Sequence, residues 1–150
     1  MKINKIIIKN AIKIYLSIVL FFFLMKLLKL DGNVALRMLN FVFVILGMNK
    51  AIKENIYKNR SFNYFHNLII GFKTSILAVI FTFFSLLIYL YYINPYYIHA
   101  IENLKIWGTN LNPEEVSFAI LIEGLASSLI GSFILMQYWK TFKIKESKSI

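Results

Sequence analysis

Residues 68–93 read LIIGFKTSILAVIFTFFSLLIYLYYI, with Lys73 as the one charge among them. A bilayer core of roughly 30 Å needs about 20 apolar residues in a helix, and this stretch exceeds that. It predicts a membrane-spanning helix. Asn94-Pro95 closes it, because proline disfavours helical backbone at the residue before it.

Three more stretches flank it. Residues 11–28 hold the charge-free centre IYLSIVLFFFLM, with Lys13 and Lys26 near the ends, where their stems can carry the ammonium groups towards the head groups. Residues 116–139 are apolar except for Glu123. Residues 34–52 are the weakest of the four: the apolar centre is short, it holds Asn40, and Arg37 must reach the head groups. Asp31-Gly32-Asn33 supplies turn chemistry between the first two spans. Ser61 offers an N-cap ahead of the third. Asn112-Pro113-Glu114-Glu115 opens the fourth with a cap, a proline at the first helical position and two carboxylates at the positive helix end. No small-x-small cleavage site follows Met25, so the first span reads as a retained helix rather than a signal peptide.

Composition agrees. The chain has 150 residues, 59% hydrophobic and 16% charged, with mean hydropathy +0.65. A soluble domain carries about 25% charged residues, so this surface is meant for lipid. Cysteine is absent, which removes disulfides, cysteine-ligated zinc and a thiol nucleophile. None of the six glycines falls in a phosphate-cradling frame. His66 and His99 fall on opposite sides of the third span, and Asp31 is the only aspartate available to a triad, so no metal, cofactor or catalytic constellation is visible.

The net charge of +10 sorts by side. In a four-span arrangement, twelve Lys and Arg lie with the termini and the loop after span two, against four on the other side. Both termini, including the basic tail 140–150, therefore belong in the cytoplasm, against the anionic inner leaflet. Membrane topology explains the basicity without nucleic acid. Tyr89, Tyr91, Tyr92, Tyr96, Tyr97 and Trp107 gather at the outer interface, and Tyr57, Tyr64, Tyr138 and Trp139 at the inner one. Between Pro95 and Gly108, the spacing of Tyr97, Ile101 and Leu104 reads either as a short helix lying in the interface or as a loop packed on the bundle.

Four intramembrane charges are candidates for function: Glu123, Arg37, Lys26 and Lys73. A carboxylate in a span is costly unless paired, neutral or wet. Lys26 and Arg37 lie at the outer side like Glu123, so an ion pair with one of them is expected, Arg37 first. A proton- or ligand-binding role, or contact with a partner protein, are the other readings. Lys73 enters from the inner side and snorkels. Gly124, Ser128, Gly131 and Ser132 make a small-residue strip on span four that permits close helix approach. Gly71, Ser75, Ala78 and Thr82 on span three are a natural mate, with oligomerisation the alternative.

Arg60-Ser61-Phe62, Tyr64-Phe65, Gly71-Phe72, the aromatic-rich span and Asn94-Pro95, with Gly131-Ser132 ahead of the basic tail, resemble the domain-of-unknown-function 4199 family of small four-span proteins from Bacteroidota. The resemblance implies four helices and an inner-membrane location, and it supplies no activity. The expectation is one all-α integral membrane domain, 1–150, of four spans with a short interfacial helix between the third and fourth. Its expected role is a non-enzymatic accessory or interaction subunit, alone, as a homo-oligomer or with a protein partner. A small transporter or channel subunit using Glu123 is the rival.

Overall fold

The computed structural model describes residues 2–30, 36, 38–103 and 108–147, the last seven by their backbone alone. Among them there are helices and no strand. α1 is Ile3–Leu27, α2 Leu39–Asn59, α3 Tyr64–Ile88, α4 Tyr97–Glu102 and α5 Pro113–Ser147. The Asp31-Gly32-Asn33 turn and Arg37, Leu104 and Trp107 lie outside the described residues.

The helix ends follow local chemistry. α1 closes with Lys29 in the left-handed region (φ 55°). Leu30 N–H donates to Met25 O at 2.9 Å and Lys29 N–H to Lys26 O at 3.1 Å, which satisfies two terminal carbonyls. α2 ends on Arg60, also left-handed at φ 48°. The cap of α3 is Asn63, not Ser61: its side chain accepts the His66 N–H at 3.1 Å. Ser61 lends its carbonyl to Asn67 Nδ2 instead, at 2.8 Å. α3 does not stop at Ile88. It runs on through one wider π-type turn, Tyr89–Ile93, closed by Asn94 N–H on Tyr89 O at 2.9 Å, with Pro95 barring any continuation. At the start of α5 the Glu115 carboxylate accepts the Asn112 N–H at 2.9 Å, the reciprocal half of a capping box.

The four long helices run alternately up and down beside one another. Lys9 meets Glu54 and Phe21 meets Phe43, so α1 and α2 are antiparallel. Asn55 meets Asn67, so α2 and α3 are antiparallel. A Cβ on Gly124 would touch Val79 and one on Gly71 would approach Ser132, so α3 and α5 are antiparallel. α3 packs on α1, α2 and α5, while α1 and α5 stand on opposite flanks. The start of α1, the turn at 60–63 and the end of α5 therefore share one end of the bundle. α4 lies at the other. The long core joins Ile14, Met48, Ile52, Ala78 and Met136. A second cluster at the α4 end joins Tyr89, Leu90, Ile101 and Val116, with Phe22 and Tyr97 against it. α4 thus packs Ile101 onto the bundle end.

The outside of the bundle is apolar. Leu20 is 69% exposed, Phe84 57%, Phe133 48% and Ile134 55%. Among the described residues three helices are long and apolar enough to cross a membrane: Ile3–Leu27, Tyr64–Ile93 and Pro113–Lys140. α2 falls short of the expected fourth, because Asn49, Lys50, Lys53 and Glu54 occupy its second half. It nevertheless packs against α1, α3 and α5.

Candidate functional site

The basic end is organised around Glu54. Its carboxylate is held by Lys9 at 3.1 Å and Lys58 at 3.8 Å, and the Glu54 side chain is only 11% exposed. Burial alone would raise its pKa. The Lys9 hydrogen bond and the charges of Lys9, Lys58 and Lys50 outweigh burial and hold it below the ordinary carboxylate value. Beside it runs an amide ladder. Asn59 Nδ2 donates to Asn55 Oδ1 at 2.8 Å, and Asn55 Nδ2 to Asn67 Oδ1 at 2.7 Å. Asn67 Nδ2 then reaches Ser61 O, which ties the α2–α3 turn to both helices. Trp139 of α5 joins through Nε1 on Asn49 Oδ1 at 2.9 Å. The sequence reading counted the residues after span two only as a basic loop and missed this network. Its legible signal was the i,i+4 pair Asn55/Asn59 beside Glu54.

At the other end Lys26 donates to the Tyr89 hydroxyl and lies 5.0 Å from the centre of that ring, a cation–π contact. Phe22 and Tyr97 pack edge-on against Tyr89 at 5.3 and 5.7 Å. Tyr91 donates to Glu114. Glu102 accepts the Leu111 N–H at 2.8 Å and sits 3.0 Å from His99 Nδ1, so the carboxylate fixes the approach to α5. These contacts, led by the His99 hydrogen bond, hold the Glu102 pKa low. His66 is in the first turn of α3 and His99 in α4, at opposite ends of the bundle. Among the described residues no three His, Asp or Glu gather as a metal site would need.

α5 has two faces. The inner one carries the small strip. Ser128 and Ser132 are fully buried. A Cβ on Gly124 would come within 2.7 Å of Val79 Cγ1, and one on Gly131 within 2.7 Å of Ile45 Cδ1. The strip therefore faces α3 through Gly124 and α2 through Gly131. The outer face carries Phe118, Ile122, Ile130, Phe133 and Ile134, all exposed, and Glu123 is exposed among them. Since Gly124 sits opposite Val79, Glu123 lies halfway along the bundle rather than near its outer end.

The expected pairing of Glu123 with Lys26 is not made. Lys26 is on α1 with Tyr89, on the opposite flank from α5. Its pairing with Arg37 lies outside the described residues. Among the described residues no ion pair includes Glu123. Lys73 is exposed on α3, in a groove with Asn4, Ile8, Ile76, Leu77 and Ile80. Interior polar groups mostly bond to their own helix. Asn10 donates to Ile6 O, Thr74 to Ile70 O, Thr82 to Ala78 O, Ser128 to Gly124 O and Ser132 to Ser128 O. Hydroxyls used this way satisfy themselves within one helix and tend to bend it, rather than tying it to its neighbour.

No family model, curated protein or solved structure matches the chain.

Proposed function

We propose that this is a multi-pass protein of a bacterial inner membrane, with four spans (α1, α2 as far as Ile52, α3 and α5) and both termini cytoplasmic, and that it acts as a non-enzymatic accessory subunit which docks to a partner through the outer face of α5. Membership of the domain-of-unknown-function 4199 family belongs to the same reading. One observation carries it: Glu123 projects from the middle of an apolar helix, away from the bundle, with no ion pair among the described residues. A carboxylate facing hydrocarbon is expensive. A partner helix presenting a donor at that depth removes the cost. The transporter reading needs Glu123 to face an internal path, and its outward direction speaks against that. The up-and-down packing of α2, with Gly47 against Ile14 and Ile52 against Gly71, supports counting it as a span despite its polar half. The basic residues at the end shared by the termini support the cytoplasmic orientation.

The test is photocrosslinking in native membranes. A photoreactive residue at Ile122 or Ile130 should give one discrete protein adduct, and one at Leu20 on α1 should give none. Glu123→Leu should abolish the adduct. In detergent the same substitution should shift stability by no more than about 0.5 kcal/mol, as at an exposed position. An undiminished adduct with Glu123→Leu, or crosslinks to lipid alone at all three positions, would refute docking through this face.

A further inference from the structure

A groove of about 320 Å³ runs between α1 and α3 and opens on the outside of the bundle. Its polar atoms are at one end and its walls are not. Asn4 lies nearest the basic end, Ile8 and Lys73 follow at about one level, and Ile76, Leu77 and Ile80 line the rest. The walls face outward, with Ile8 49% and Ile80 36% exposed. α1 and α3 are parallel, and Ile6 packs with Ile70, so Lys73 stands about one turn further into the bundle than that contact. Lys73 is exposed and, among the described residues, meets no carboxylate. Glu54, an acidic residue of that end, is already shared by Lys9 and Lys58.

We infer that this groove holds one anionic phospholipid, its phosphate taken by the Lys73 ammonium and the Asn4 amide and an acyl chain laid along Ile8, Ile76, Leu77 and Ile80. This rests on the membrane reading above. The two chemistries of such a lipid occur in the order and direction the groove requires, cation and amide donor towards the aqueous end, branched aliphatic walls towards the membrane interior. A net negative head group is selected because the surrounding end offers Lys2 and Lys5 as well, and a zwitterionic lipid would bring its own cation among them. Snorkelling alone would place the Lys73 ammonium in water; it does not account for an apolar furrow leading away from it.

The experiment is native mass spectrometry of the full chain in mild detergent, titrated with phosphatidylglycerol and with phosphatidylcholine of the same acyl chains. The wild-type chain should retain the anionic lipid about fivefold better, the weight of one lysine at a charged surface. Lys73→Gln should lose that preference and Lys73→Arg should keep it. Lys29→Gln, at the other end, should leave it unchanged. Ile76→Trp, which fills the groove, should lower retention of both lipids. A preference that survives Lys73→Gln, or retention indifferent to Ile76→Trp, would overturn the site. Carbonate extraction of membranes separates this from the reading it rests on. Release of the chain would defeat the membrane assignment, whereas a chain that stays embedded and shows no lipid preference defeats the groove alone.

Discussion

Asn55 has no exposed surface, and both ends of its amide are used, the oxygen by Asn59 and the nitrogen by Asn67. Asn55→Ala leaves the buried Asn67 Oδ1 without its donor. It should destabilise the chain by about 1–3 kcal/mol in a detergent melt, the cost of an orphaned buried polar group. Asn59→Ala, at a less buried position, should cost less. Glu54 makes a prediction in pH. Its folded pKa is depressed, so its stabilisation is fully present above the ordinary carboxylate value of about 4.3 and is lost as pH falls through the lower, folded value. Melting temperature should drop on acidification from about pH 6 towards about pH 3, and Glu54→Gln should flatten that dependence. A Glu54→Gln profile as steep as the wild type would assign the acid sensitivity elsewhere, with Glu102 the next carboxylate to replace.

The element on which most depends is α2. Its seam with α1 is closed at Gly47, where a Cβ would fall 2.1 Å from Ile14 Cγ1 and 2.6 Å from Ile14 Cδ1. Ile14 is 2% exposed and branched at Cβ, so it has little freedom to move aside. Gly47→Ala should therefore separate the helices and cost about 1–3 kcal/mol, even though alanine is the better helix former. A neutral or stabilising result would mean that α2 is only loosely held. The sequence reading found the small strip on α5 and did not weigh Gly47, because a lone glycine among Phe43, Val44, Ile45, Leu46 and Met48 belongs to no repeat. It also placed the end of α3 correctly at Asn94-Pro95 without foreseeing the π-type turn, which has no side-chain signature. Ser61 and Asn63 are both good caps in isolation. Asn63 wins because Ser61 lies within the turn, where its carbonyl meets Asn67.

At the scale of the whole molecule, apolar length and charge asymmetry made three long apolar helices legible. The direction of Glu123 was harder to read. Its depth, expected at the outer side, proved to be halfway along the bundle, and its facing depends on which side of α5 meets α3; Val79 against Gly124 decides both. The contrast between small residues at Gly124, Ser128 and Ser132 and large ones at Ile122, Ile130 and Phe133 already marked the two faces. The pairing expected from equal depth ignored that division. Lys26 shows the same lesson: it needed a partner at its level, and the aromatic Tyr89 of the neighbouring α3 supplied it rather than a carboxylate. The α4 end binds its polar groups locally, through Glu102, Glu114 and Glu115, while the opposite end gathers lysines around one glutamate.

That asymmetry, together with the alternating helices, leads to the central claim that α2 crosses the membrane and leaves the 60–63 turn with the termini in the cytoplasm. The chain has no cysteine, so single cysteines can be read against a silent background. Ser61→Cys and Thr109→Cys, probed in intact cells with a membrane-impermeant maleimide, test the claim most directly. The account predicts labelling of Thr109→Cys from outside, and labelling of Ser61→Cys only after the membrane is permeabilised. Labelling of Ser61→Cys in intact cells would contradict it.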